Sequence, residues 1–259
     1  MQVLKLEMQR ALSSRGFTGA AAGFLCCALL GCWRPVLQTL MEPGLREPDF
    51  SLECLMQSLS SRYLLLTLPV LAALPYAGSF VEDLQSRFLR SYLPRAGLDA
   101  FLRSRTMATA LSGAAVMAAG ALLTAAVLFL LLMPREMRPD PLMQQDFEAA
   151  RLALAGDIAA QELRLMLSGS LWALVGAAAA AAAMNRYLAL AVPFIAFYSL
   201  LILSTRYLPD LGVLNPENWI APSEVWGPLP LGGALFALEL AVGTGFTLLL
   251  VMGRRLRDA

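Results

Sequence analysis

The sequence predicts an all-α polytopic membrane protein with six transmembrane helices and both termini in the cytoplasm. Three observations carry this reading. Apolar residues make up 58% of the 259 residues and charged ones 15%, and the mean hydropathy of +0.62 is more than a water-soluble surface carries. The apolar residues gather in six blocks, each near the roughly 20 residues that cross ~30 Å of hydrocarbon. The connections on one side of those blocks, with both termini, hold 12 Lys and Arg against 8 on the other, and the richer set faces the cytoplasm.

The chain reads as a single transmembrane domain, 1–259, with spans at about 17–40, 63–81, 107–133, 169–184, 187–206 and 229–252. Residues 1–16 come first, with Leu4, Met8, Ala11 and Leu12 on one helical face and Lys5, Gln9 and Ser13 opposite, the pattern of an interfacial helix. The first block follows and is read as an uncleaved span. Gly19 and Gly23 within it form a GxxxG, a packing device for helices in lipid. After the second block, the cytoplasmic segment 82–106 places Leu84, Phe88, Leu89, Tyr92 and Leu93 in a stripe flanked by Arg87 and Arg90. Pro94 and Gly97 break that helix, and Leu98, Phe101 and Leu102 begin a second amphipathic piece with Arg95, Arg103 and Arg105 on its polar side.

Beyond the third block, Gln144 to Leu167 reads as an external amphipathic helix with Phe147, Leu154, Ile158 and Leu165 on its apolar side. Asn185 and Arg186 alone separate the fourth and fifth blocks, a tight helical hairpin. The Pro- and Trp-rich stretch Leu208 to Pro230 reads as an interfacial lid. Glu239 lies near the middle of the sixth block, where a charge is costly and marks either proton coupling, an acceptor in a cavity, or a protonated packing contact.

Composition excludes much chemistry. The chain has no histidine, which removes histidine general bases and the usual zinc hydrolase sites. Its one lysine, Lys5, lies in no Gly-rich loop, so the chain holds no Walker A site. Three of the four cysteines, Cys26, Cys27 and Cys32, crowd the first block, and with Cys54 they form no disulfide framework or metal cluster. Glu82-Asp83-x-x-x-Arg87 resembles the acidic pair and arginine of membrane-embedded CAAX-type proteases, whose downstream histidines have no counterpart here. A translocation pathway, a sensor or a scaffold remains, with membrane lipid and no nucleic acid among its partners.

Glu7-Met8-Gln9-Arg10-Ala11-Leu12-Ser13-Ser14-Arg15-Gly16-Phe17, then a span, then Leu68-Pro69-Val70-Leu71-Ala72-Ala73-Leu74-Pro75-Tyr76-Ala77-Gly78-Ser79-Phe80-Val81-Glu82-Asp83 resembles bacterial type-2 ABC transporter permeases. The similarity continues through Arg87-Phe88, Tyr92-Leu93, Arg95 and Phe101-Leu102-Arg103-Ser104-Arg105 to Leu111-Ser112-Gly113. It covers roughly the first half of the chain, and the second half agrees in span count. Related permeases often have a glycine after the Ser86 position and a lysine where Arg105 stands.

The resemblance implies the membrane subunit of an ATP-driven exporter in the bacterial cytoplasmic membrane, not an enzyme by itself, with ATP-Mg on a separate ATPase subunit. It implies that 82–106 is the coupling segment, with Glu82, Asp83, Arg87, Phe88, Arg90, Tyr92, Arg95, Phe101, Arg103 and Arg105 transmitting the ATPase's motion. It also implies a dimer with a second permease copy or paralogue, the first and fifth spans forming the seam. The aliphatic spans suit an amphiphilic substrate better than a polyanion. The alternatives are a proton-coupled transporter working through Glu239 and a membrane sensor or assembly protein.

Overall fold

A computed structural model describes residues 2–42, 48–86, 97–132, 144–227, 229 and 231–257. Among the described residues the regular structure is helical throughout, without strands. In order these are α1 (Gln2–Leu12), α2 (Arg15–Gly31), α3 (Trp33–Met41), α4 (Phe50–Leu59), α5 (Arg62–Ala73), α6 (Ser79–Gln85), α7 (Leu98–Leu132), α8 (Gln144–Ala183), α9 (Leu188–Ile202), α10 (Glu217–Ile220) and α11 (Gly232–Arg257). Among the described residues four helices are long and apolar enough to cross a membrane: α7, α8, α9 with its wide terminal turn to Tyr207, and α11. A fifth candidate arises if α1 and α2, bent by 53° between them, form one span. This is a multi-pass membrane protein.

Two proline-free stretches set the long helices. Pro94 and Pro134 bracket α7, whose 35 residues extend about 52 Å at 1.5 Å per residue. Gly97, with φ of 76°, starts it in a conformation that an L side chain resists, and the Phe101 amide donates to the Gly97 carbonyl at 3.1 Å. The next 40-residue helix, α8, is alanine-rich and contains no proline. Met184, in the left-handed region at φ 55°, ends it, and the Asn185 side chain caps the turn by accepting from the Tyr187 amide at 3.0 Å.

These lengths correct several expected boundaries. The amphipathic piece expected at 98–105 and the span expected at 107–133 are one helix, as are the external helix expected at 144–167 and the span at 169–184. In both places a polar stretch is short enough for helix propensity to carry the chain through it. The block at 17–40 breaks at Cys32 into α2 and α3. The block at 63–81 is the 12-residue α5, then a turn, then α6.

Helix α8 is the hub, packed on α7, α9, α11 and α5. It crosses α7 antiparallel where Gly113 meets Gly169, so closely that a Cβ on Gly169 would come within 2.9 Å of the Gly113 carbonyl oxygen. Ser170 Oγ donates to the Ala110 carbonyl at 3.0 Å beside this crossing. Helix α11 runs parallel to α8, with Leu102 of α7 reaching Gly253 and Arg255 donating to the Ala182 carbonyl, so both chain ends lie at one end of the bundle, here called basal. At the distal end the 208–227 stretch is a folded aromatic cap rather than an open loop. Trp219 is buried and stacked on Trp172, with 6.3 Å between ring centroids. Its Nε1 donates to the Val213 carbonyl at 2.7 Å, and Trp226 Nε1 donates to the Asn218 carbonyl at the same distance.

The interfacial helix also needs correction. Ala11 of α1 is buried against Tyr76 and Ala108, with Leu4 and Met8 packed around them, so protein rather than lipid covers this face. Of the GxxxG pair, Gly19 faces open space while Gly23 packs on Leu71 of α5.

Because the α7–α8 crossing is made by backbone, an added methyl is felt there. Gly113→Ala would put its Cβ 2.8 Å from that of Ala173, and the expected cost is about 1–3 kcal/mol. Gly156→Ala, on a part of α8 with nothing within 4 Å, is expected to gain about 0.5–1 kcal/mol. Thermal unfolding of both variants in mild detergent measures the contrast, and equal midpoints would remove the close crossing.

Candidate functional site

Three segments that the sequence keeps far apart converge at the basal end: α1, the turn between α5 and α6 with the start of α6, and the first turns of α7. Each carries an ionisable residue on its apolar stripe. Glu7 falls in register with Leu4, Met8 and Ala11; Asp83 with Phe80; and Arg105 with Phe101 and Leu102. A charge in that register must be buried with its helix face, so these residues are obliged to meet partners of opposite charge.

They do so in one cluster. Arg105 is 1% exposed and Asp83 3%, with Arg105 Nη1 donating to Asp83 Oδ2 at 2.5 Å. Asp83 also accepts both arms of the Arg10 guanidinium at 2.7 and 2.8 Å, a bidentate pair reaching in from the more exposed edge. Glu7 is buried, lies 3.8 Å from Arg105 Nη1, and accepts a hydrogen bond from the Tyr76 hydroxyl. The Arg105 Nε and Nη2 atoms are buried without a hydrogen-bond partner. The guanidinium lies instead over two aromatic faces, 5.1 Å from the Tyr76 centroid and 5.6 Å from that of Phe101.

The two carboxyls titrate in opposite directions. Burial alone would raise the Asp83 pKa, but the hydrogen bond from Arg10, with the charge and hydrogen bond of Arg105, outweighs it and holds the group below its ordinary 3.8. Burial prevails at Glu7 and pushes its carboxyl above the ordinary 4.5 against the pull of Arg105 and Arg10. The cluster thus commits Asp83 to its charged form and leaves Glu7 nearer to neutrality.

The expected coupling residues divide into three groups. Asp83, Phe101 and Arg105 are brought together here; Phe101 and Arg105 are core residues, which corrects the reading that put Arg105 on the exposed polar side of its helix. Glu82 and Arg103 are exposed, and Glu82 forms a 3.5 Å ion pair with Arg186 in the α8–α9 turn. Arg87, Phe88, Arg90, Tyr92 and Arg95 lie outside the described residues. Glu239 is exposed on α11, with no hydrogen bond or ion pair to any other described residue.

Sequence reasoning did not single out Glu7, Arg10 and Tyr76 as site residues. The signal was present in Glu7 and Arg10 three residues apart on one helix and in the register of Glu7 on the apolar stripe. The interior of α8 was missed as well. Gln161, Arg164 and Ser168, at spacings of three and four, are all buried on a segment expected outside the membrane. Among the described residues no group of His, Cys, Asp and Glu is arranged to hold a metal. Compared with protein-family models and with curated proteins, the chain matches none.

Removing one partner of a buried pair strands the other. Asp83→Asn is expected to cost about 3–5 kcal/mol. Because the Asp83 pKa is lowered on folding, its contribution is complete above the unfolded value of about 3.9 and is lost as pH falls through the folded value. Glu7 has the opposite sign: its raised pKa favours the fold below the unfolded value, and that advantage fades as pH rises through the folded one. Glu7→Gln is therefore expected to gain in midpoint relative to the wild type as pH rises, while the Asp83→Asn deficit is constant above about pH 4. Melting curves of the three proteins across pH test this, and parallel profiles for both variants would overturn it.

Proposed function

We propose that the chain is the membrane subunit of an ATP-driven exporter of the type-2 ABC permease class, working in the bacterial cytoplasmic membrane with a separate ATPase subunit. In this reading it passes the bilayer six times with its basal end, and so both termini, in the cytoplasm. The segment 82–106 receives the ATPase, which holds the ATP-Mg, and a second copy or a paralogue completes the pathway. The stretch 87–96, rich in apolar and basic residues, supplies the docking sequence.

One observation carries the proposal. The residues on either side of that stretch, Asp83 before it and Arg105 after it, are bonded to each other in the buried cluster. A segment closed at its base by a charge pair delivers any force applied to it directly to α6 and α7, and through Arg10 to α1. Four observations support the class: helices long enough to span, both ends of the bundle's chain on one side, three basic residues in the last turn of α11, and the absence of a Walker A motif. ATP-driven approach of two ATPases would then move α7 as a lever and alternate access to the pathway.

The proton-coupled alternative draws on Glu239. That side chain is exposed on the flank of α11 and faces no second acid or base among the described residues, so a relay through it has no visible next station.

A gentle-detergent pull-down of the tagged chain from its native membrane tests the proposal. A stoichiometric ATPase subunit is expected in the eluate. Replacing Arg87, Arg90 and Arg95 with Glu is expected to lower its recovery at least about ten-fold, equivalent to about 1.4 kcal/mol, with the melting midpoint of the chain unchanged. A chain that purifies alone and still transports in proteoliposomes, until Glu239→Gln stops it, would replace this reading with the proton-coupled one.

A further inference from the structure

An apolar groove of 390 Å3 runs between α7 and α11 over the flank of α8. Its wall includes Met107 and Ala110 on α7, Leu174 on α8, and Val242, Phe246 and Leu249 on α11. Met107, Val242 and Phe246 are exposed, so the groove opens on the outer surface of the bundle. Its two hydroxyls are turned to backbone: Thr106 Oγ1 donates to the Leu102 carbonyl and Ser170 Oγ to the Ala110 carbonyl, both at 3.0 Å. On α11 the lining runs from Leu238 to Leu249, about 16 Å along the helix. That is close to half of the ~30 Å hydrocarbon thickness, the depth of one leaflet.

The two ends of this face carry opposite charge. Arg103 lies four and seven residues before Met107 and Ala110, and Arg257 eight and eleven residues after Leu249 and Phe246. At those spacings both arginines stand on the helix faces that line the groove, beyond its basal end. The Arg257 side chain folds back toward the groove, its Nε donating to the Gly253 carbonyl at 3.2 Å. A Cβ on Gly253 would lie 3.8 Å from Arg257 Nη2 and 3.6 Å from Leu102 Cδ1, which sets this guanidinium level with Leu102, the residue before Arg103. Neither arginine forms an ion pair with a described residue, Asp99 on the first turn of α7 included. Toward the distal end the same face of α11 carries the exposed Glu239.

An occupant must therefore be apolar over one leaflet's depth and anionic where it meets the basal surface. A free anion would leave the groove unfilled, a cation would be repelled at the arginines, and a lipid without net charge would leave the arginines' charge unanswered. We propose that the groove between α7 and α11 binds one anionic phospholipid, with an acyl chain along Val242 and Phe246 and the phosphate held by Arg103 and Arg257. Lipid so placed joins α7 to α11 within a turn of Arg105. The site requires only that the chain crosses a membrane, so it stands whether or not an ATPase binds.

The test is native mass spectrometry of the purified full-length chain, released from neutral detergent holding equal amounts of dioleoyl phosphatidylglycerol and dioleoyl phosphatidylcholine. One phosphatidylglycerol per chain is expected to be retained in preference, and to raise the melting midpoint where phosphatidylcholine does not. Replacing Arg103 and Arg257 together with Gln is expected to reduce the preference about twenty-fold, near five-fold for each charge, while replacing both with Lys keeps most of it. Gly245→Leu leaves the arginines but fills the groove, its Cβ meeting Thr106 and Leu174 at 3.5 and 3.7 Å, and is expected to lower retention at least about ten-fold. Equal retention of the two lipids by the wild type, or an unchanged preference in the double Gln variant, would overturn the proposal. So would displacement of the lipid by inorganic phosphate at matched ionic strength, because the arginines would then hold a phosphate without the groove. A Gly245→Leu chain that keeps its lipid and shifts from dimer to monomer would overturn it too, a second copy being the occupant.

Discussion

Arg105 is the constraint around which the basal half of the molecule is arranged. A guanidinium cannot be deprotonated to escape burial, so the fold must bring it a carboxylate. Asp83 supplies it, and the rings of Tyr76 and Phe101 cover the part of the guanidinium that no hydrogen bond reaches. Because Asp83 also takes the bidentate Arg10, a single carboxylate ties α1 and α7 to α6. The neighbouring backbone follows the same geometry. Ser14 caps α2 by accepting from the Phe17 amide while donating to the Pro75 carbonyl, and Gly16 lies against Leu74 with no room for a side chain. The elbow at the start of the chain is therefore fixed by the same contacts that bury the charge.

Pairing of this kind specifies register better than it stabilises. Exchanging a buried ion pair for matched apolar residues is often neutral or favourable, but a slip of one residue in α1, α6 or α7 would strand a charge in an apolar face. Leu4, Met8 and Ala11 would tolerate several sliding positions against α7, and Glu7 tolerates one. Within the proposed exporter that exactness of position matters more than strength, since the ends of the segment thought to meet the ATPase are what the cluster holds.

Much of the architecture was legible in the sequence because prolines, glycines and apolar blocks act locally. Pro94, Gly97 and Pro134 mark both ends of α7, and Asn185 with Arg186 marks the α8–α9 hairpin. What was not legible depended on tertiary partners. The polar face of 144–167 made the first half of α8 read as external, whereas Gln161, Arg164 and Ser168 turn inward together and the helix runs on. Arg105 was assigned to a polar flank by its charge, although its spacing from Phe101 and Leu102 put it on the apolar stripe. Charge and register gave opposite answers there, as they did at Glu7, and register prevailed because residues from two other segments supplied the neutralising partners.

The two ends of α7 are unlike in a way that bears on the proposed transport. At its basal end Phe101 and Arg105 are clamped, and one uninterrupted helix leads from them past Gly113 to Ala121 and Ala125, beside α4. The crossing between is backbone on backbone at Gly113 and Gly169, with Met117 and Ala173 packed against the two glycines. A rigid rod with a close pivot converts a small displacement at one end into an opposite displacement at the other. In the proposed exporter, motion imposed on Arg105 would thus change the separation of α7 from α8 around Ala121 and Ala125, where a groove opens between α4 and the two helices.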